Sequence, residues 1–380
     1  MAREPISLID TSMPSQGAPV EDLEDDEIEV EEVDENEDPV EIVEEEDGSV
    51  LLNFEEAVAA ELQQDPDANL ADILDERVLM EVAMELMGYY EDDKGSRQDW
   101  EDAYTEGLDL LGIKYEHRDE PFRGSSGVTH PLIAEAVTQF QAQAYKELLP
   151  SSGPVRTQVV GAATPDVEMQ SQRVQEFMNF QITHVMNEYD PEMDRLLFYL
   201  PLAGSAFKKV YFDDILDRAV SKFVPADDLL VPYNATDLST ASRITHVIRM
   251  NTNDVRKNQA AGFYREIDIS PYASDDEVRS KERELEGVTH AGGDEQDCTL
   301  LEVHTDLDLP GFEHVSPIDG EQTGIKLPYI VTIDEGSGKV LSIRRNWREG
   351  DEYYRKTQYF SHYKFLPGLG FYGFGLLHMI

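Results

Sequence analysis

The sequence predicts an α+β chain with helices first, antiparallel strands with inserted helices after them, and an acidic tail in front. Three observations carry this. Apolar residues recur at helical spacing from about Leu70 to Leu148. After Gly204 the pattern changes to alternation with a period of two, punctuated by turn residues. Every charged residue from Glu4 to Glu76 is acidic, in a chain of 380 residues with a formal net charge of -48.

Residues 1–70 are expected to form a disordered tail. A segment so rich in Glu and Asp repels itself and buries too little apolar surface to offset chain entropy. One short helix is expected within it, from Asn53 to Leu62. The N-terminus, MAREPISLID, lacks the apolar core of a signal peptide. No stretch approaches the roughly 20 apolar residues of a membrane helix. The single cysteine, Cys298, excludes a disulfide within the chain and suggests a reducing compartment. It opens the apolar run CTLLEV and reads as a small buried residue.

Residues 71–150 read as a helical region. Leu74, Val78, Val82 and Leu86 recur every four residues and share one face. A polar break follows from Glu91 to Arg97, then a second short helix ending near Gly112. The Pro-, Gly- and Ser-bearing stretch EHRDEPFRGSSGV is expected to be a loop. Thr129 suits an N-cap and Pro131 a first turn. The helix after them presents Leu132, Ile133, Ala136, Val137, Phe140, Ala144 and Leu148 as its stripe, and Pro150 stops it.

Residues 151–366 read as an α+β domain. A long helix is expected from Val167 to Tyr189, with Val174, Phe177, Met178, Val185 and Met186 on its core face. Pro191 is expected to break it before a shorter helix in MDRLLFYLPLAG. SAFKKVYF and RAVSKFV flank a polar turn and read as a hairpin. SRITHVIRM alternates, with Ile244, His246, Ile248 and Met250 on one face and Arg243, Thr245, Val247 and Arg249 on the other. Thr252 is expected to cap a short helix. Ser274 with Glu277 forms a capping-box signature for another. CTLLEVHTDLDL reads as a strand, and LPYIVTIDEGSGKVLSIRRNW as a hairpin turning at Gly336 and Gly338. Residues 367–380 are Gly-rich, aromatic and apolar. Such an ending is expected either in a chain cut short or in a segment that packs on a partner. No internal repeat is visible.

The search for chemistry assigns no catalytic, cofactor-binding or metal-binding residue. GLGFYG places Gly368, Gly370 and Gly373 in the spacing of a dinucleotide fingerprint, but Pro367 precedes it and no helix-length sequence follows. These glycines read better as letting backbone turn close beside aromatic rings. His290, Cys298, His304 and His314 lie near one another in sequence without zinc-ligand spacing. His304 and His246 read as satisfied structural histidines. No phosphate-cradling loop or nucleophile elbow is present. With 79 acidic residues, paired carboxylates arise by chance. The basic strings AFKKVYF, NDVRKNQ and SIRRNWR read as solvated faces. The charge argues against tight nucleic-acid binding, which uses clustered Lys and Arg.

Several strings nevertheless resemble one family. GVTHPLIAEAVTQFQAQAYKELLPSSGPVRT, LPLAGSAFKKVYFD, FVPADDLLVPYNATDLSTASRITHVIRM and LPYIVTIDEGSGKVLSIRRNW are similar to portal proteins of short-tailed double-stranded-DNA bacteriophages. FLPGLGFYGFGLLHMI resembles the segment leading into that family's stem helix. The likeness runs from about Leu70 to Ile380. It implies a non-enzymatic subunit of a dodecameric ring at one capsid vertex, in the virion and, during assembly, the host cytoplasm. Its implied partners are other copies of itself, the terminase large subunit, the major capsid and scaffolding proteins, and the tail adaptors. Double-stranded DNA would pass through without sequence specificity. What is present resembles the family's wing region, and no stem, clip or crown element is recognisable. An acidic conduit that repels phosphate would let DNA move without breaking strong ion pairs. The competing expectation is an acidic, chaperone-like protein that binds basic partners through its tail.

Overall fold

The computed structural model describes residues 41–44, 50–53, 65–111, 122, 124, 130–213, 216–269, 277–287, 297–316 and 321–379. The chain divides into two units, residues 1–57 and 58–380. In the first, strands β1 (Glu41–Glu44) and β2 (Val50–Asn53) pair antiparallel, with Glu41 opposite Asn53 and Glu44 opposite Val50. Two short runs, EIVE and VLLN, carry β-branched and apolar residues that the charge of the surrounding sequence conceals. Asn53 therefore ends a strand; the rest of the helix expected to Leu62 lies outside the described residues.

The second unit is α+β. Five helices come first: α1 (Glu76–Ser96), α2 (Gln98–Leu108), α3 (Leu132–Leu148), α4 (Pro165–Phe180) and α5 (Tyr189–Ala203). Strands β3 (Ser205–Asp213), β4 (Arg218–Pro225), β5 (Leu229–Leu230) and β6 (Arg243–Asn251) follow. Next come α6 (Thr252–Ala260), α7 (Glu277–Glu286), β7 (Asp297–Leu307), β8 (Leu327–Asp334), β9 (Lys339–Arg345) and β10 (Phe360–Lys364). The strands form two antiparallel sheets, one ordered β10-β3-β4 and one ordered β5-β6-β7-β8-β9. The expected hairpins are both present. β3 pairs with β4 from Ala206–Pro225 to Asp213–Arg218. β8 pairs with β9, and Gly338 takes the left-handed conformation at their turn.

Both faces of the five-stranded sheet are covered, so β8 reads as a nearly continuous apolar run and β7 is covered along most of its length despite its polar residues. On one face, Leu79, Val82, Leu86 and Tyr90 of α1 pack on Val247, Leu301, Val331 and Ile343. On the other, Cys298 and Leu300 lie with Val255, Tyr264 and Leu341. A further core joins Tyr104 and Leu108 of α2, Val137 of α3, Phe207 and Ile244 of the strands, and Phe371 and Leu377 near the C-terminus. Segments expected as three separate regions (71–150, 151–366 and 367–380) thus share one core.

Several expectations are corrected. The polar stretch from Glu91 does not break α1, which continues to Ser96. Asp93 lies on the buried side, where Arg243 donates to it from Nε at 2.7 Å and Nη2 at 2.6 Å. The body also begins before residue 71. Leu70 is fully buried, and Asn69 Oδ1 accepts from Ile343 N while its Nδ2 donates to Leu341 O, closing the outer edge of β9. Helix α3 starts at Leu132 with Pro131 as its cap; Thr129, like Ser274, lies outside the described residues. Leu132 and Leu148 of its stripe are exposed. The helix expected over 167–189 ends at Phe180 and passes through a π turn, Gln181–Val185. Pro191 sits in the first turn of α5, where a missing N–H costs nothing. Asn251, not Thr252, caps α6, accepting from Asn253 N at 2.8 Å.

Candidate interaction surface

Helix α4 is initiated by its own sequence. Thr164 accepts from Val167 N, Pro165 opens the first turn, and Asp166 and Glu168 sit where the helix dipole favours acids. None of its residues is buried. Only Ser171, Gln175 and Asn179 are partly covered, and they lie four apart on one stripe. That stripe holds the preceding extended segment. Asn179 Oδ1 accepts from Val155 N at 2.9 Å, and its Nδ2 donates to Val155 O at 3.1 Å. Thr157 donates to Ser171 O at 3.0 Å, and its N–H donates to Gln175 Oε1 at 3.2 Å.

Beside this polar stripe runs an apolar one. Val167, Val174 and Met178 fall at spacings of seven and four, with Phe177 flanking them. Val174 is 49 % exposed, Phe177 62 % and Met178 44 %. This is the stripe expected to face the core; only Met186, beyond the π turn, is buried. Full burial of such a side chain is worth roughly 1.5–3 kcal/mol, so a partner covering three half-exposed ones gains on the order of 3 kcal/mol. A second exposed apolar group, Val210, Phe212 and Leu216, lies at the far end of the β3–β4 pair.

The residues singled out for chemistry are not brought together. Gly373 and Gly375 are points of close backbone approach: a Cβ on Gly373 would overlap the carbonyl oxygen of Gly204, and one on Gly375 that of Leu202. Gly373 N donates to Ser205 Oγ at 2.7 Å, and Trp100 stacks on Tyr372 and His378. The strand before Gly368, Phe360–Lys364, is mostly exposed, so the buried strand that a fingerprint needs is absent there among the described residues. Cys298 is buried against Thr252, His304 bonds Glu302, and His314 bonds Thr323. His290 lies outside the described residues. Among those residues no group of three or more His, Cys, Asp or Glu converges as a metal site.

Two of the basic strings are not solvated faces. Lys208 is buried with its ammonium 3.7 Å from the centre of the Tyr189 ring, and burial lowers its pKa to about 8. Lys209 pairs with Glu302 across the two sheets. Arg344 and Arg345 donate to the carbonyl oxygens of Asp67 and Asp65, fastening that segment to β9. An open depression of about 690 Å³ runs along Arg348, Asp351, Tyr353 and Arg355. Asp351 there is already held by Arg355, at 3.1 Å. No helix of the described residues is long and apolar enough to cross a membrane.

No protein-family model matches the sequence, and no curated protein matches it.

Proposed function

We propose that this chain is a subunit of a phage portal, a ring that conducts double-stranded DNA and joins head to tail, without catalysis of its own. The observation that carries the reading is α4, a well-capped helix with no buried residue and an exposed apolar patch of Val174, Phe177 and Met178 in its second half. A helix of that kind is completed by another chain. A closed ring uses two different patches per subunit, each meeting its unlike counterpart on a neighbour. The α4 stripe and the Val210–Phe212–Leu216 group are two such patches, of different shape. The likeness of the four strings between Gly127 and Trp347 to portal sequences supplies the kind of ring. Capsid, scaffolding, terminase and tail-adaptor partners belong to the same proposal.

The test is negative-stain electron microscopy and mass photometry of the protein expressed from its natural reading frame, beside the variant Val174→Glu/Phe177→Glu. Rings with a central hole that the variant no longer forms, while its melting temperature holds, support the reading. A monomer at all concentrations and salt conditions refutes it. Tail-dependent capture of basic proteins would then move the acidic binding-protein reading forward.

A further inference from the structure

A largely covered carboxylate, Glu302, lies where the two sheets of the body approach each other. Glu302 lies on the face of the five-stranded sheet away from α1. Both its oxygens accept from Lys209 Nζ at 2.6 Å, and Lys209 comes from the central strand of the other sheet. His304, two residues along β7, brings Nε2 to 2.9 Å from Oε1 and, as a neutral ring, donates there. His246 stands directly opposite Glu302 on β6. Its Nδ1 is 3.6 Å from the same oxygen and is buried without a hydrogen-bond partner. Phe360 sets edge-on against both imidazoles, with centroids 5.4 and 5.3 Å away, and closes the site from β10.

The surrounding elements add few charges; the nearest is Lys222 of β4, exposed, directly opposite Lys209 and over the same Tyr211 ring. Tyr211 on β3 lies under the Lys209 ammonium, Tyr359 precedes β10, and Tyr264 follows α6. Strand β8 presents uncharged Thr332 opposite Glu302. Asp228, in the turn before β5, is engaged by Arg249 at 2.5 Å and by Arg279. Lys209 is therefore the cation already committed to Glu302, and the two imidazoles are neutral neighbours of that pair.

We infer that this cluster is an acid-released joint between the two sheets: protonating His246 and His304 crowds two more cations beside Lys209 around one carboxylate, which drives β3 away from β7. Burial lowers the basicity of both imidazoles; Glu302 partly opposes this, and Lys209 adds to it. Burial alone would raise the Glu302 carboxyl, but Lys209 and the two imidazoles together hold it well below the usual range. The signs agree. The histidines are less basic folded than unfolded, so their contribution is intact above about pH 6.5 and is lost as pH falls from there. The Glu302 contribution is lost in the same direction, at lower pH.

The experiment is hydrogen exchange of β3 and β7 at about pH 7.5 and about pH 5.5, corrected for intrinsic rates, in the wild type and in His246→Asn/His304→Gln. These amides keep a donor where Nδ1 and Nε2 stood but cannot be protonated. Protection of Phe207–Tyr211 and Leu301–Thr305 is expected to fall at least about tenfold on acidification in the wild type and to hold in the variant. Equal wild-type protection at both pH values, or an equal fall in the variant, overturns the joint. Should the variant fail to fold, ¹³C-histidine titration of the wild type decides. His246 and His304 midpoints below about 6.5 support the joint, and midpoints at or above it overturn it.

Discussion

Arg97 is the side chain whose loss should cost most. It stands between α1 and α2 with its head group 4 % exposed. Nη1 donates to the carbonyl oxygens of Ala226 at 2.9 Å and Leu229 at 3.1 Å, and Nη2 to that of Asp227 at 2.6 Å. Nη2 also pairs with Glu101 at 2.6 Å, itself 5 % exposed, and Nη1 reaches the Tyr372 hydroxyl at 3.2 Å. One guanidinium thus ties the N-terminal helices, the turn into β5 and the C-terminal segment. Arg97→Met keeps most of the volume but removes these bonds: the Glu101 carboxylate loses its guanidinium and the Ala226 and Asp227 carbonyl oxygens lose this donor, while Leu229 O keeps the Tyr372 hydroxyl. Breaking a buried pair from one side costs about 3–5 kcal/mol. In a body of this size about 1 kcal/mol moves the melting temperature by about 2 °C, so a drop of roughly 6–10 °C is expected by circular dichroism. Arg97→Met/Glu101→Leu should recover part of the loss, since the buried carboxylate that lost its guanidinium is gone while the Ala226 and Asp227 carbonyl oxygens still want a donor. A drop below about 2 °C for the single variant would refute the keystone role, because it would require water or rearrangement to satisfy every one of those groups.

Two further outcomes follow from the backbone. Gly375→Ala places a Cβ on the Leu202 carbonyl oxygen, which belongs to the end of α5 and cannot yield cheaply; a loss of about 1–3 kcal/mol is expected by urea titration. Gly370→Ala meets nothing within 4 Å and should be neutral, whereas a dinucleotide fingerprint would make that middle glycine the sensitive one. Asn69→Leu removes the donor and acceptor that close the edge of β9, stranding Ile343 N, while Leu341 O keeps the Arg265 N–H as its donor. A loss of about 1–3 kcal/mol is expected, with faster hydrogen exchange confined to β9.

Much of the fold was legible because its signals are local. The period-two alternation of Ile244 to Met250 and the Gly338 turn each depend on a few neighbouring residues, and both stand in the structure. What was not legible depends on partners far along the chain. Asp93 reads as a helix breaker until Arg243, 150 residues later, takes both its oxygens. Lys209 reads as solvated until Glu302 of the other sheet meets it. The α4 stripe failed for a different reason. Val174, Phe177 and Met178 show the period of a core face, and that period is the same whether the covering surface is intrachain or another molecule's. One sign was present in the sequence: the adjoining stripe is Ser171, Gln175 and Asn179, too polar to bury deeply, so the helix lacks the broad apolar arc that core helices carry.

The net charge bears on the same surface. Copies of a chain of charge -48 repel one another, while the contact proposed for the α4 stripe is apolar and would attract without regard to salt. Raising ionic strength from about 0.01 M to about 0.1 M shortens the screening length from about 30 Å to about 10 Å. Repulsion between facing subunits is then largely screened, and the apolar gain, on the order of 3 kcal/mol per stripe, is left in place. Assembly is therefore expected to strengthen with salt, read by mass photometry at fixed protein concentration. Ion pairs across the contact would reverse the sign and make assembly weaken as salt rises. That outcome would displace α4 as the contact and direct attention to the exposed cations among the described residues instead.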